Sequence, residues 1–417
     1  MFKQSRTQQG RSVGVGQLSL VEHALCPLET KRGANLVHRT CYRFTDTQRR
    51  RQTAQIRVFA PLGLFPGDEL YLWGLLALTL SQPESDGSFD ATPHWCLRQL
   101  GLIDAGTRRG GRQYQQFAAT LERLSAVSYL SSACYDPVRC EYRQVSFRFF
   151  SYSLPANPES NRAWNIVWDD VFFRMVKVIG GSMRFDLELY RAFDPAARRM
   201  FLLLTKVGYR KGRIPVFGLE HLAVDVLGLS PTLAIRDMKV KVSRTLKRLE
   251  SVGIIQCSLI QRVAPGQFTV TIERGPALNS KTDCEPTATE SPLIEGLLAL
   301  GFDRQSASRL VRRYPRKLVA LWTDITQAAL ERFGRQHFRK SPMAFFVDSL
   351  SKAAQGIRTP PDWWHEIRKA ELKSEQPAPE SREVFSKLLD EVFGSERRDT
   401  KAKSGLVRAG DLLKASF

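Results

Sequence analysis

The chain is 417 residues long, 43% hydrophobic and 25% charged, an ordinary globular composition that excludes a disordered or collagen-like polymer. Its 62 Lys and Arg outnumber 42 Asp and Glu, and the resulting formal charge of +20 favours a polyanionic partner. The longest apolar run, Leu70–Leu80, falls short of the roughly 18 residues of a membrane span. The N-terminal MFKQSRTQQGR lacks the apolar core of a signal peptide. Seven cysteines without a C-x-x-C pair support neither a disulfide scaffold nor a metal knuckle, and a cytoplasmic, non-membrane protein is expected.

In chain order, residues 1–55 read as a basic, flexible arm. Lys31, Arg32, Arg39, Arg43, Arg49, Arg50, Arg51 and Arg57 face a single acid, Asp46. Such a block is a solvated segment or one laid along phosphates, and the two readings are compatible. Apolar residues punctuated by turns fill 56–275, divided at 182/183 into two domains. Residues 276–292 (PALNSKTDCEPTATESP) read as a linker. A helical module follows over 293–356, with Leu310, Tyr314, Leu318, Leu321, Trp322 and Ile325 at helical spacing. The remainder, 357–417, is a charged tail with one amphipathic stretch carrying Val384, Phe385, Leu388, Leu389, Val392 and Phe393.

The apolar region repeats. Trp95–Leu102 (WCLRQLGL) corresponds to Leu222–Leu229 (LAVDVLGL), and Leu121–Val127 (LERLSAV) to Leu246–Val252 (LKRLESV). The offsets differ by only two residues, so the period is domain-sized. Each copy has an apolar helix (Leu70–Leu80; Ala197–Val207) and then a short helix ending at Gly101 or Gly228, which can take a positive φ. A longer helix follows, near Arg112–Val127 and Ile235–Val252. Strand pairs close the copies, Val127–Tyr135 with Tyr142–Ser153 and Ile254–Val263 with Gln267–Glu273. This order predicts an α+β fold with two tandem winged helix-turn-helix domains and a small helical C-terminal module.

Projected at about 100° per residue, Ile235, Met238, Val242, Leu246, Leu249 and Val252 share one face of the second long helix. Arg236, Val240, Arg244 and Lys247 lie opposite, with Ser243 beside them and Lys239, Lys241 and Arg248 on the flanks. A basic outward face after a tight turn suits the major groove; a solvated face on a core helix is the plainer alternative. Arg236, Val240, Ser243 and Arg244 are the expected base-edge contacts, and Lys239, Lys241, Lys247 and Arg248 the expected phosphate contacts. Ser230-Pro231 is the expected helix start. In the first copy Phe117, Leu121 and Leu124 form the buried stripe, and Arg108, Arg109, Arg112, Gln113 and Gln116 crowd the helix start.

The chain resembles the plasmid replication initiator protein A family, related to iteron-binding initiators built from two winged helices. The resemblance covers about Phe59–Gly275 and rests on PLGLFPGDELYLWGLLALT, TPHWCLRQLGL, GRQYQQFAATLERLSAV, VSFRFFSYSLP, AWNIVWDDVFF, RFDLELYRAFDPAARRMFLLL and HLAVDVLGLSPTLAIRDMKVKVSRTLKRLE. It implies binding of double-stranded DNA at repeated origin sequences, opening of adjacent DNA and recruitment of a host helicase or initiator protein. It also implies a homodimer that represses and a monomer that initiates.

Catalytic signals are lacking. No two of the six histidines lie within a few residues of each other, as a metal-dependent nicking site would require, and RRGGR lacks the Lys-Ser or Lys-Thr of a phosphate loop. No cofactor or metal is expected, and Asp169-Asp170 reads as a helix cap. Trp73, Trp95, Trp164 and Trp168 read as core residues, and Trp363-Trp364 as a docking element. A non-enzymatic initiator leads. A transcription repressor of the same fold, an origin-nicking enzyme or primase, and an RNA or nonspecific nucleic-acid binder stand as alternatives.

Overall fold

The structure, a computed structural model, describes residues 13–28, 34–46, 48–83, 85–103, 111–137, 139–155, 157, 160, 162–211, 214–279 and 290–374. Arg108 and Arg109 lie outside the described residues, as does the amphipathic stretch at 384–393. The fold is mixed α+β. Residues up to Pro360 form one compact unit, and a second begins at Pro361.

Chain order begins β1 (Val13–Gln17), a 3-10 turn (Leu20–Glu22), β2 (Leu36–Thr45), β3 (Arg51–Ala60), α1 (Asp68–Leu80), β4 (Ser88–Ala91), α2 (Pro93–Gln99) and α3 (Gly111–Ser125). Next come β5 (Ser128–Asp136), β6 (Glu141–Arg148), β7 (Phe150–Ser153), β8 (Trp164–Trp168), α4 (Asp170–Lys177), β9 (Ser182–Asp186), α5 (Leu187–Ala192) and α6 (Pro195–Lys211). The second copy continues with β10 (Phe217–Gly218), a π-helical turn (His221–Val226), α7 (Ile235–Glu250), β11 (Ile255–Ala264), β12 (Gln267–Arg274) and α8 (Pro276–Asn279). Helices α9 (Pro292–Ala299), α10 (Arg304–Arg313), α11 (Arg316–Phe333) and α12 (Pro342–Ala354) follow, then α13 (Asp362–Ser374) in the second unit.

A helix, a short strand, a short helical segment, a long helix and a hairpin thus follow one another twice, the strands β4 and β10 being additions to the expected order. In the second copy β10 pairs with β12, which pairs with β11. In the first copy β8 is inserted between β4 and β7, while β5 and β6 extend a four-stranded sheet ordered β2-β3-β5-β6. Helix α1 is buried all round, as an almost entirely apolar segment must be. Its polar ends are satisfied across the core. Asp68 accepts from Arg123 at 2.7 Å, and Thr79 accepts from the Trp168 indole at 2.8 Å.

The expectation of a flexible arm over 1–55 is corrected for its described residues. Val13–Gln17 pairs antiparallel with β9, Leu20, Val21, Leu25 and Cys26 are core residues, and β2 and β3 are in-register strands. Averaged charge hid a two-residue alternation. His38, Thr40, Tyr42, Ala54, Ile56 and Val58 point inward, whereas Arg39, Arg43 and Arg51 are exposed. The boundaries at 55/56 and 182/183 accordingly cut through β3 and β9. The linker beginning at Pro276 is also shorter than expected, because 276–279 is the helical turn α8.

Helices α9–α12 bury Trp322, Ile325, Phe346 and Leu350 as their own core. Charge anchors them to the first copy. Arg162 meets Asp324 at 2.6 Å, Lys317 meets Asp86 at 2.7 Å, and Arg98 approaches Glu290 at 3.7 Å. Asp169 caps α4, accepting from Val171 and Phe172 at 2.9 and 3.1 Å. Trp73, Trp95 and Trp168 are buried and Trp164 stacks on Phe117. Within α13, Trp364 is buried and Trp363 half-buried.

Candidate nucleic-acid interface

Helix α7 is built on four fully enclosed side chains, Met238, Val242, Leu246 and Leu249. Ile235 and Val252, expected on the same face, are instead exposed. Ile235 opens the helix beside the hairpin turn at Gly266, and Val252 lies past its end at Glu250. The expected start at Ser230-Pro231 is also displaced. Leu233 N–H donates to the Ser230 carbonyl in a turn, and helix begins only at Ile235, with Ala234 offering no side-chain cap.

The opposite face matches its prediction in exposure. Arg236, Val240, Arg244, Lys247 and Arg248 are exposed, and Ser243 is half-buried. Among the described residues no carboxylate pairs with Arg236, Arg244, Lys247 or Arg248. Glu250, on the same helix, instead accepts from Ser258 of β11 at 2.7 Å. Two expected phosphate contacts sit differently. Lys239 Nζ lies 3.6 Å from the Phe268 ring centre on β12, so it ties helix to hairpin through a cation–π contact. Lys241 is half-buried and lines a groove of about 650 Å³ with Arg244, Lys247 and Arg248; Leu28, Asp194 and Leu227 close its other side. Asp194 is engaged there as the cap of α6, accepting from Ala197 N–H at 3.1 Å.

In the first copy, Phe117, Leu121 and Leu124 are buried on α3, while Arg112, Gln113 and Gln116 are exposed. Arg123 near the helix end turns inward to Asp68 and is a structural group.

The helical segments that precede both long helices end at positive-φ glycines. Gly101 and Gly228 take φ of +64° and +75°. Each preceding carbonyl is held by an arginine, from α5 in the first case and α6 in the second. Arg191 Nη1 donates to Leu100 O at 2.9 Å, and Arg199 Nη1 to Leu227 O at 2.6 Å. The N-terminal segment adds Ala24 N–H to Asp225 O at 2.7 Å and Leu28 N–H to Gly228 O at 2.8 Å. Burial pulls the Asp225 carboxyl up, but the His221 hydrogen bond and charge outweigh it and hold it below the usual range. Sequence reasoning missed this clamp, and with it the outward arginines of β2 and β3. The alternation in Arg39-Thr40-Cys41-Tyr42-Arg43 was the available signal.

Among the described residues no group of three or more His, Cys, Asp or Glu is placed to hold a metal ion, and no helix is long and apolar enough to cross a membrane. No family model and no curated protein matches the chain. Among solved structures, domains 2 and 3 of RctB are similar at 12% identity, over 62% of this chain and 98% of that one, with a TM-score of 0.39. At that score the likeness adds nothing to what the residues carry.

Proposed function

We propose that the chain is a sequence-specific double-stranded DNA-binding protein that initiates plasmid-type replication without enzymatic activity, each repeat acting as a winged helix. The observation that carries this reading is the α7 surface, where Arg236, Arg244, Lys247 and Arg248, without a carboxylate partner among the described residues, back onto a sealed apolar stripe. A cation with no carboxylate partner keeps its attraction for phosphate and guanine available. Arg236, Val240, Ser243 and Arg244 take the base edges in this reading, and Lys247, Arg248 and Lys241 the phosphates flanking the groove.

Helix α3 makes the second groove contact through Arg112, Gln113 and Gln116. Opening of neighbouring DNA then draws on binding energy spent in bending and untwisting, with host helicase or initiator proteins recruited and a homodimer as the repressing form. The protein is assigned to the cytoplasm.

Footprinting the purified chain on DNA flanking its own gene tests the reading, together with replication of an origin-bearing plasmid in trans. Protection over evenly spaced direct repeats and plasmid maintenance are expected. Specific protection without replication would make the chain a repressor, and equal binding to all duplexes would remove sequence reading altogether. Supercoiled origin DNA incubated with the chain and Mg²⁺ should stay intact; a nick would overturn the non-enzymatic assignment.

A further inference from the structure

The face of the four-stranded sheet turned away from the core has no assigned role. Side chains at alternate positions share it, so the register sets its rows. Arg39 lies opposite Arg57, Arg43 opposite Thr53, and Thr45 opposite Arg51. The rows continue through β5 to β6, Arg39–Arg57–Leu130–Ser146 and Val37–Phe59–Ser128–Arg148. Arg39, Arg43, Arg51 and Arg148 are exposed, and Arg57 is half-buried. Neither β2 nor β3 carries an acid. Asp225, which meets Cys41 on this face, is committed to His221 at 2.9 Å. At the sheet's far end Asp46 pairs with Arg50, and Glu141 and Asp136 with Arg143.

Arg39, Arg43 and Arg51 gather exposed positive charge on two acid-free strands, and that self-repulsion costs the free protein stability that an external anion would return. We infer that this face is a second polyanion contact, docking the phosphate backbone of duplex DNA apart from the helices that read bases. A duplex fits better than a single strand. On the outward rows of β2 and β3 the sole aromatic is the half-buried Phe59, so the strands that carry these arginines offer no platform for stacking unpaired bases.

The inference rests on the proposed DNA-binding role, and the test separates the two. The full chain, an R39Q/R43Q/R51Q variant and an R236Q/R244Q variant are titrated with a labelled mixed-sequence duplex of roughly three helical turns at several salt concentrations. Relief of repulsion should leave the sheet variant's melting temperature at or above the parent's in low salt. Its plot of log affinity against log salt should flatten by about 0.9 for each lost phosphate contact, hence by about two to three units. A parental slope in the sheet variant, with binding still impaired in R236Q/R244Q, overturns the sheet contact and leaves the helix reading standing. No binding by the parent removes both. Tighter parental binding to a single strand of the same sequence, lost in the sheet variant, overturns the choice of duplex.

Discussion

Arg199 on α6 donates to the Glu69 carboxylate on α1 from Nε at 3.0 Å and from Nη2 at 2.6 Å, and both side chains are buried. The same guanidinium reaches Cys26 Sγ at 3.2 Å and the Leu227 carbonyl at 2.6 Å. Burial opposes the charge on Arg199, but Glu69 beside it outweighs that and raises its pKa further. Burial also pushes the Cys26 thiol up to about 12, so it contributes as a neutral group. One side chain thereby joins the first copy, the N-terminal segment and the turn before α7.

Removing one member of a buried pair strands the other charge. Arg199→Ala or Glu69→Ala should each cost roughly 3–5 kcal/mol. The double replacement Arg199→Met with Glu69→Leu should cost much less than the two losses added, because neither charge remains. Urea unfolding of the three variants measures this, and additive losses would mean the groups act independently.

Acid should loosen the same region. Burial lowers the His23 pKa to about 3 and the His38 pKa to about 4. His23 Nε2 meets Tyr129 at 3.0 Å. In the unfolded chain both titrate near 6.5, so below that pH the unfolded state binds more protons. Stability from these residues is therefore complete above pH 6.5 and is lost as pH falls from there toward 4 and then 3. The slope approaches about 1.4 kcal/mol per pH unit for each histidine. Urea midpoints at pH 7.5, 6 and 5 should fall in that order, and a His23→Phe/His38→Phe variant should show a flatter fall.

The turn glycines should differ in tolerance. An added Cβ at Gly101 meets the Arg191 guanidinium, which can swing away at the loss of its contacts to the Leu100 and Gly101 carbonyls. At Gly228 it falls 2.8 Å from the Cys26 carbonyl and 2.9 Å from Ala24 Cβ, parts of the packed N-terminal segment. Both substitutions carry the positive-φ penalty of about 1 kcal/mol. Gly228→Ala should add a steric loss, lower the melting temperature further, and weaken DNA binding by displacing α7. Equal melting shifts would contradict the tight docking of that segment.

The α7 assignment separates two kinds of cation. Arg244→Ala should cost about 1–3 kcal/mol on the preferred duplex and less on a scrambled one. Lys247→Ala should weaken both alike and flatten the salt dependence. Isotherms on both duplexes at several salt concentrations distinguish them; equal losses for Arg244→Ala would move it to the phosphate group.

Local periodicity made the repeat legible. Met238, Val242, Leu246 and Leu249 on α7, and Phe117, Leu121 and Leu124 on α3, are buried as their spacing predicts. Both hairpins turn where expected, with Tyr135 opposite Tyr142 and Ala264 opposite Gln267, but the single strand expected over Tyr142–Ser153 is two, β6 pairing with β5 and β7 with β8. Long-range pairing was not legible. Nothing near Val13–Gln17 announces β9 as its partner, and no spacing rule links Glu69 to Arg199 across 130 residues. Within the basic count over Lys31–Arg57, Arg39, Arg43, Arg51 and Arg57 share one face of a hairpin whose other face is core. Within the candidate interface, exposure followed from helix phase, whereas the capture of Lys239 by Phe268 depended on how the hairpin folds back.

In the proposed binding mode α3 and α7 each engage the duplex. Hydroxyl-radical footprints of the parent, of an R236A/R244A variant and of an R112A/Q113A/Q116A variant on one protected site test it most directly. Two patches of protection are expected in the parent, one lost in each variant while the other persists. A footprint unchanged by both sets of substitutions would rule out duplex contact by either helix.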